Sequence, residues 1–355
     1  DALTVTAVLI SVAIGFYRIF HTVKSNKAFS DLEHNYHNDE LLENESLSEL
    51  EEFKAFLRDL IMHGAVGTAL GGVCTIVGEP QNLLIAGVVG WSFVEFFIAM
   101  APITMPVLVA GICTCFIIER FKLAGFGNQL PLSIRSIFND YDDYENSQQT
   151  DQQRAELLVE FIVLIFLIIA LALHLAAVGV IGLAVIILLT SFKGITDEHK
   201  LGDAFHEALP FTALLAVFFA IVSVIHDQHL FSPVINYVLL QDPSIQPSVF
   251  FMANGILSAI SDNVFVATIY INEINQAYLA NTITRDQFEA LAVAVNTGTN
   301  IPSIATPNGQ AAFLFLLTSS LAPLINLSYL KMVKMALPYT IILTIVGLYS
   351  ITYLL

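Results

Sequence analysis

Charged residues are scarce in this sequence. Lysine, arginine, aspartate and glutamate make up 13% of its 355 residues, whereas a soluble domain has about 25%. Hydrophobic residues make up 56%, and the windows between the polar stretches are long enough to cross a hydrocarbon core of about 30 Å. This composition excludes a soluble enzyme, a nucleic-acid binder and a secreted disulfide scaffold. It predicts an all-α membrane protein in contact with lipid and without a nucleic-acid partner.

Cysteine is rare as well. Cys74, Cys113 and Cys115 lie inside apolar runs and lack metal-ligand spacing, so we interpret them as packing residues and expect no cofactor. The chain opens at Asp1 without an initiator methionine and without a basic region before the first apolar run. A signal peptide would have that basic region, so we expect this sequence to be an interior part of a longer protein.

Apolar windows outline the predicted membrane segments. Uninterrupted spans are predicted over residues 2–20, 102–118, 157–173, 178–192, 209–225 and 333–355. Two longer apolar regions, 62–97 and 291–324, contain polar interruptions, and a third run, 249–271, carries Asp262 at its centre. A carboxylate at the bilayer centre costs about 2.5 to 3.5 kcal/mol, so Asp262 indicates a functional position.

The distribution of lysine and arginine orients these segments, because positive charge in short loops stays in the cytoplasm. Suppose that each interrupted region crosses once and that residues 249–271 enter and return as a re-entrant hairpin with its tip near Asp262. All 14 basic residues except Arg285 then lie on the cytoplasmic side. An ordinary crossing at residues 249–271 fits the charge pattern less well.

Proline, glycine and amide side chains interrupt the two long apolar regions. The interruptions are Gly78 to Asn82 in the first region and Thr306 to Gln310 in the second. A broken helix frees carbonyl and amide groups in mid-membrane, and these are tolerated only where they line a cavity or bind an ion.

The two interrupted regions align without gaps when Gly71 is placed on Gly298, and Pro80 then matches Pro307. Each half also has an acidic residue before the interrupted region, Asp1 in the first half and Asp262 in the second. After the interrupted region comes a span that we expect to begin at a proline, Pro102 in the first half and Pro338 in the second. In the predicted topology the halves have opposite orientation. Paired broken helices of this kind are typical of transporters with a binding site at the membrane midplane.

The fold class expected is therefore an inverted-repeat transporter with re-entrant hairpins and interrupted transmembrane helices. We divide the chain into a first-repeat core (1–118), a cytoplasmic loop with scaffold helices (119–247) and a second-repeat core (248–355).

Motifs along the whole chain resemble those of one family. They are Asp1-Ala-Leu-Thr-Val, Gly67-Thr-Ala-Leu-Gly-Gly, Val77-Gly-Glu-Pro-Gln-Asn, Ile195-Thr-Asp-Glu-His, Ile260-Ser-Asp-Asn-Val-Phe-Val, Asn296-Thr-Gly-Thr-Asn and Ala305-Thr-Pro-Asn-Gly-Gln-Ala-Ala-Phe. Together they look like the NhaB-type sodium/proton antiporters of the bacterial inner membrane, whose members carry further membrane segments before the position of Asp1. The resemblance implies two inverted repeats in which each hairpin tip faces a helix break. Dicarboxylate-transporting relatives have Ser-Asn-Thr at the tips, so an aspartate there favours a cation.

A carboxylate that must lose its proton before it accepts Na⁺ makes an exchanger. We therefore expect Na⁺, and also Li⁺, to leave the cell in exchange for external H⁺ at Asp1 and Asp262, the two acids expected to bind the metal ion. Oxygen ligands suit such a hard cation. The further candidate residues are Thr4, Glu79, Gln81, Asn82, Ser261, Asn263, Thr306, Asn308 and Gln310.

Three other functions are weighed against this one. A sodium-coupled carboxylate or oxyanion transporter should have a basic residue in a break or hairpin, and none is present there. An intramembrane protease would need a Gly-x-Ser-x-Gly-like serine or paired aspartates with a Gly-x-Gly-Asp signature, and the sequence has neither. A passive cation channel stays open as an alternative, as does assembly into a homo-oligomer.

Overall fold

The computed structural model describes residues 2–27, 44–173, 175–195 and 232–355, with isolated residues between these ranges. The helices with defined bounds are α1 (Ala2–Lys24), α2 (Asn44–Gly72), α3 (Pro80–Val89), α4 (Phe93–Phe121), α5 (Leu132–Gln148), α6 (Asp151–Ala172), α7 (Val178–Phe192), α8 (Ser232–Leu239), α9 (Gln246–Ile260), α10 (Asn263–Leu279), α11 (Arg285–Asn300), α12 (Ala311–Thr318), α13 (Leu321–Leu324) and α14 (Tyr329–Tyr353), with a 3₁₀-helix at Pro302–Ala305. No strand occurs in the described ranges. Helices α1, α4, α6 and α14 are long and apolar enough to cross a membrane. The all-α membrane fold is confirmed, while most of the predicted span 209–225 lies outside the described residues.

Both predicted interruptions are confirmed. Helix α2 ends at Gly72, before the first interruption, and α3 begins inside it, at Pro80. Helix α11 ends before the second, and α12 begins beyond the 3₁₀-helix. Gly78 shows how tightly the first break folds back, because a Cβ on it would lie 2.0 Å from the carbonyl oxygen of Gly72. Gly309 has the same role in the second break, where a Cβ would lie 2.4 Å from the carbonyl oxygen of Ser303. No residue other than glycine fits at either position.

Helix α9 lies parallel to α11. Near their starts, Gln287 Nε2 donates a hydrogen bond of 2.6 Å to Gln246 Oε1. Near their ends, Ser258 Oγ donates one of 2.9 Å to the carbonyl oxygen of Thr299. The partners of both hydrogen bonds are 41 residues apart in the sequence, so the two helices run in the same direction.

Helix α10 packs against α11 and runs antiparallel to it. Tyr278, near the end of α10, stacks on Phe288, near the start of α11, with ring centroids 4.9 Å apart. The entrance of α9 and the exit of α10 are therefore on the same side, and the turn between them, Ser261 and Asp262, is at the far end of α11. This geometry confirms the re-entrant hairpin and its tip.

The matching spans of the two halves, α4 and α14, run in opposite directions. His63 of α2 is hydrogen-bonded to Glu119 and to Tyr339, at 2.7 Å each. Further along the pair, Gly111 lies against Leu343, whose Cδ2 would be 3.6 Å from a Cβ on that glycine. Residue numbers fall along α4 as they rise along α14, so the two helices are antiparallel, as an inverted repeat requires.

Two expectations about helix bounds were wrong. Pro102 and Pro338 lie inside α4 and α14 rather than at their starts, because proline keeps a helix-compatible φ and the membrane tolerates the lost hydrogen bond. Helix α4 begins instead after a capping box in which Ser92 and Glu95 bond to each other's backbone N–H. The first part of the segment 119–247, expected to begin as a cytoplasmic loop, contains the polar helix α5. The division into three segments stays a prediction.

The two halves also complete each other's helix ends. Arg58 of α2 donates a hydrogen bond of 2.7 Å to the carbonyl oxygen of Ile325, just past α13. Arg285, its counterpart in the gapless alignment, donates one of 2.7 Å to the carbonyl oxygen of Val89, at the end of α3. A cation at a helix C-terminus is favourable because the free carbonyls carry partial negative charge.

Candidate ion-binding site

The side chain of Asn82 closes the first break. Its Nδ2 donates hydrogen bonds of 2.8 Å to the carbonyl oxygens of Gly72 and Thr75. The residue is fully buried. These bonds tie the start of α3 to the end of α2 and satisfy two carbonyls that the interruption leaves without helical partners.

Gln310 closes the second break in the same way. Its Nε2 donates to the carbonyl oxygen of Asn300 at 2.8 Å and to Ser303 Oγ at 2.9 Å. In both breaks the donor follows its two acceptors by 10 and 7 residues, so Asn82 corresponds to Gln310. The expected match of Pro80 with Pro307 is therefore wrong by one residue within the breaks, because side-chain amide bonds rather than the prolines set the loop geometry.

Asn300 joins the two breaks. Gln81 of the first half donates a hydrogen bond of 2.8 Å from Nε2 to Asn300 Oδ1. Asn300 Nδ2 in turn donates to the carbonyl oxygen of Asn296 at 2.8 Å and to Asn82 Oδ1 at 3.5 Å. The breaks of the two halves are thus in direct contact, as we expected of a shared site. Asn300 was missed by the sequence reasoning, although the two asparagines one turn apart in an apolar region could have indicated it.

The second hairpin tip is attached to the second break. Asp262 caps α10, its Oδ1 accepting hydrogen bonds from the N–H groups of Val264 at 2.9 Å and Phe265 at 3.1 Å. Asn263 Nδ2 donates to Gln310 Oε1 at 3.4 Å. On the other arm, Thr306 Oγ1 donates to the carbonyl oxygen of Ala259 at 2.6 Å. The Asp262 carboxylate is consequently held by backbone dipoles at the edge of the break.

The start of α1 occupies the matching place at the first break. The N–H of Ala2 donates to the carbonyl oxygen of Gly78 at 3.0 Å. Asp1, the acid expected at this tip, lies outside the described residues. Thr4 has an exposed side chain, and no contact of it with the break is seen.

Glu79 is the most buried acid of the region, with 2% of its surface exposed. It lies against Gly72, and its Oε1 has no hydrogen-bond partner among the described residues. A buried and unpaired carboxylate is costly, so this arrangement requires a proton or a cation.

Amide oxygens without partners accompany these acids. Gln81 Oε1 and Asn263 Oδ1 are buried and accept no hydrogen bond among the described residues. In both side chains the nitrogen is already used, by Asn300 in one and by Gln310 in the other. Each amide nitrogen thus faces a fixed acceptor, and each amide oxygen is left without a hydrogen-bond donor. Such oxygens are the ligands that a hard cation prefers.

The profile of the family described as "Bacterial Na+/H+ antiporter B (NhaB)" matches residues 1–355. The chain belongs to the NhaB family. Similar proteins include the "Na(+)/H(+) antiporter NhaB" of Saccharophagus degradans, 60% identical over 351 residues (99% of this chain and 70% of that protein). Those of Teredinibacter turnerae and Marinomonas sp. are each 59% identical, over 98% and 100% of this chain and 69% and 71% of the relative.

Membership of the NhaB family agrees with the resemblance seen in the motifs. NhaB antiporters are transporters of the bacterial inner membrane and not enzymes, and the four span candidates fit a multi-pass protein. The family match gives no support to a sodium-coupled anion transporter or to a passive channel.

The structure brings together most of the candidate residues of this NhaB chain. Those in the connected network are Glu79, Gln81, Asn82, Asp262, Asn263, Thr306 and Gln310. Ser261 lies half-buried at the tip. Asn308 has an exposed side chain and is not part of the network.

Proposed function

We propose that this protein exchanges cytoplasmic Na⁺, and also Li⁺, for external H⁺, and that the two ions compete at intramembrane carboxylates. Its family and its named relatives support the exchange. The observation that carries the site is the contact between the two breaks, through Gln81 and Asn300, with an acid of each half, Glu79 and Asp262, at the edge of a break. No cofactor is implied by the family, since Na⁺ and H⁺ are the cargo.

The physical reason for exchange is that neighbouring carboxylates in a low dielectric cannot both stay charged and empty. Each binds a proton or shares a cation, and one oxygen cannot hold both. Moving the empty and doubly charged site through the membrane has a high free-energy cost. The site therefore changes its access between the two sides only with a proton or a cation bound. Proton entry then drives Na⁺ out, each net charge being worth about 2.3 kcal/mol per 100 mV.

Neutral oxygens complete the proposed cation site. Gln81 Oε1 and Asn263 Oδ1 are the unpartnered candidates. Helices α2 and α11 both end in this region, at Gly72 and Asn300, and the negative ends of their dipoles favour a cation. Asp1, which precedes α1 in the sequence, is proposed as a third acid.

Lipid is the proposed environment of the outer helices. Helix α6 exposes a large apolar surface that includes Leu157, Phe161 and Ile168, which suits acyl chains rather than water. Assembly into a homo-oligomer stays a prediction.

The test is Na⁺-driven proton flux in proteoliposomes. Glu79→Gln and Asp262→Asn should abolish coupled exchange without lowering membrane insertion. Asp242→Asn is the matched control, because Asp242 also accepts a backbone N–H, from Ser244 at 2.9 Å, but on an exposed turn. Wild-type exchange in both site variants would refute the proposal. A Na⁺ leak without proton movement would instead indicate a channel.

A further inference from the structure

Two of the unpartnered amide oxygens, those of Gln81 and Asn263, depend on one residue of the second half. Asn300 is 1% exposed. Its side-chain oxygen takes the Nε2 hydrogen of Gln81 at 2.8 Å. Its main-chain oxygen takes the Nε2 hydrogen of Gln310 at 2.8 Å, and Gln310 Oε1 holds the Asn263 nitrogen at 3.4 Å. Two branches of hydrogen bonds therefore start at Asn300. The Gln81 branch ends at Gln81 Oε1, and the Asn263 branch ends at Asn263 Oδ1.

The orientation of these amides decides which ion the site can accept. A primary amide can present either its oxygen or its NH₂ group, and the NH₂ group repels a cation. Rotation of the Gln81 amide would place its oxygen against Asn300 Oδ1, two acceptors facing each other. The Asn300 side chain itself is fixed, because Nδ2 donates to the carbonyl oxygen of Asn296 at 2.8 Å. The acceptor offered to Gln81 is thus set from within α11.

We propose that Asn300 is a positioning residue that turns the Gln81 carbonyl oxygen toward the transported cation and so makes the first half-site depend on the second half. This inference rests on the proposed exchange function. The side chain controls the Gln81 branch alone, since the Asn263 branch starts from the main chain of Asn300. Asn300 and Gln81 act as one unit, and Asn263 is independent of the Asn300 side chain.

The test measures the apparent KM for Na⁺ and the maximal rate in proteoliposomes that contain the intact protein. Asn300→Ala should raise the KM about three- to tenfold, the effect expected of losing one orienting hydrogen bond, with a smaller change in maximal rate. The double variant Asn300→Ala with Gln81→Ala should have the same KM as Asn300→Ala alone. In the double variant Asn300→Ala with Asn263→Ala, the KM increase should be the product of the two single increases. Thr297→Ala is the control: this residue is buried three positions earlier on α11, and its hydroxyl donates to the carbonyl oxygen of Val293 at 2.7 Å, within the same helix.

A second readout covers a variant that transports too slowly to measure. Na⁺ should raise the unfolding temperature of the wild-type protein in detergent, because a bound ion stabilises the folded state. The Na⁺ concentration needed should increase in Asn300→Ala and in the smaller change Asn300→Ser, and should stay the same in Thr297→Ala. Equal shifts in the Asn300 and Thr297 variants, or multiplying effects of Asn300→Ala and Gln81→Ala, would overturn the inference. Wild-type protein without Na⁺-dependent proton flux would overturn the proposed function as well, whereas normal exchange with an unchanged KM in Asn300→Ala would overturn only the inference.

Discussion

Replacing Gln310 by alanine should destabilise the second break by about 2 to 3 kcal/mol. The change removes the two hydrogen bonds donated by Nε2 and the one accepted by Oε1. Side-chain hydrogen bonds between membrane helices average about 0.6 kcal/mol each, and the lost methylene adds about 0.8 kcal/mol. Asn82→Ala removes the corresponding pair of donated bonds but no methylene, so we expect about 1 to 2 kcal/mol.

The assay is the free energy of unfolding in lipid-containing micelles, followed by circular dichroism over a denaturant series. Gln276→Ala is the control, because this glutamine of α10 is exposed, and its loss should change the free energy by less than about 0.5 kcal/mol. Gln310→Glu keeps the shape but replaces the donor with an acceptor, so it should cost at least as much as alanine. The reasoning fails if Gln310→Ala and Gln276→Ala are equally stable.

Three further predictions concern topology, titration and helix ends. A cysteine in place of Asn146 should react with an impermeant maleimide only from the cytoplasm and one in place of Asn281 only from outside; cytoplasmic labelling at 281 would contradict the inverted topology. Burial raises the pKa of Asp59, which precedes the apolar part of α2, despite opposing hydrogen bonds. Its contribution to stability is therefore present at low pH and lost as pH rises through the raised pKa, so Asp59→Asn should flatten the dependence of unfolding temperature on pH above about 4, and an unchanged slope would count against this. Arg285→Ala should lower the unfolding temperature by removing the bond to the Val89 carbonyl, and an unaltered transition would show that this bond contributes nothing.

The sequence predicted those features that a membrane makes costly. Polar groups in an apolar run need a compensating structure, so Asp262 and the two proline-containing interruptions located the hairpin tip and the breaks. Charge counting gave the re-entrant path, which the contacts of α9 and α10 with α11 confirm. These inferences needed only local composition and the properties of the bilayer.

The features that were missed depend on packing between distant segments. Proline was taken as a helix start at Pro102, but a membrane helix accommodates it in its interior. The register of the repeat was anchored on Pro80 and Pro307, whereas the breaks are aligned by amide bonds that no identity reveals. The role of Asn300 depends on its hydrogen bond with Gln81 of the first half, which lies 219 residues away in the sequence.

The arginine contacts at the helix ends have the form of a subunit interface. Arg58 of the first half reaches Ile325 of the second, and Arg285 of the second reaches Val89 of the first. The two arginines are counterparts in the gapless alignment, and each contact crosses from one half to the other, as contacts between two copies of one subunit do. Their acceptors, Val89 and Ile325, are not counterparts. The chain therefore carries within itself the equivalent of an antiparallel dimer whose subunits have been joined. Each half supplies a cation to a helix end of its companion, so a substitution of either arginine changes a helix end in the other half.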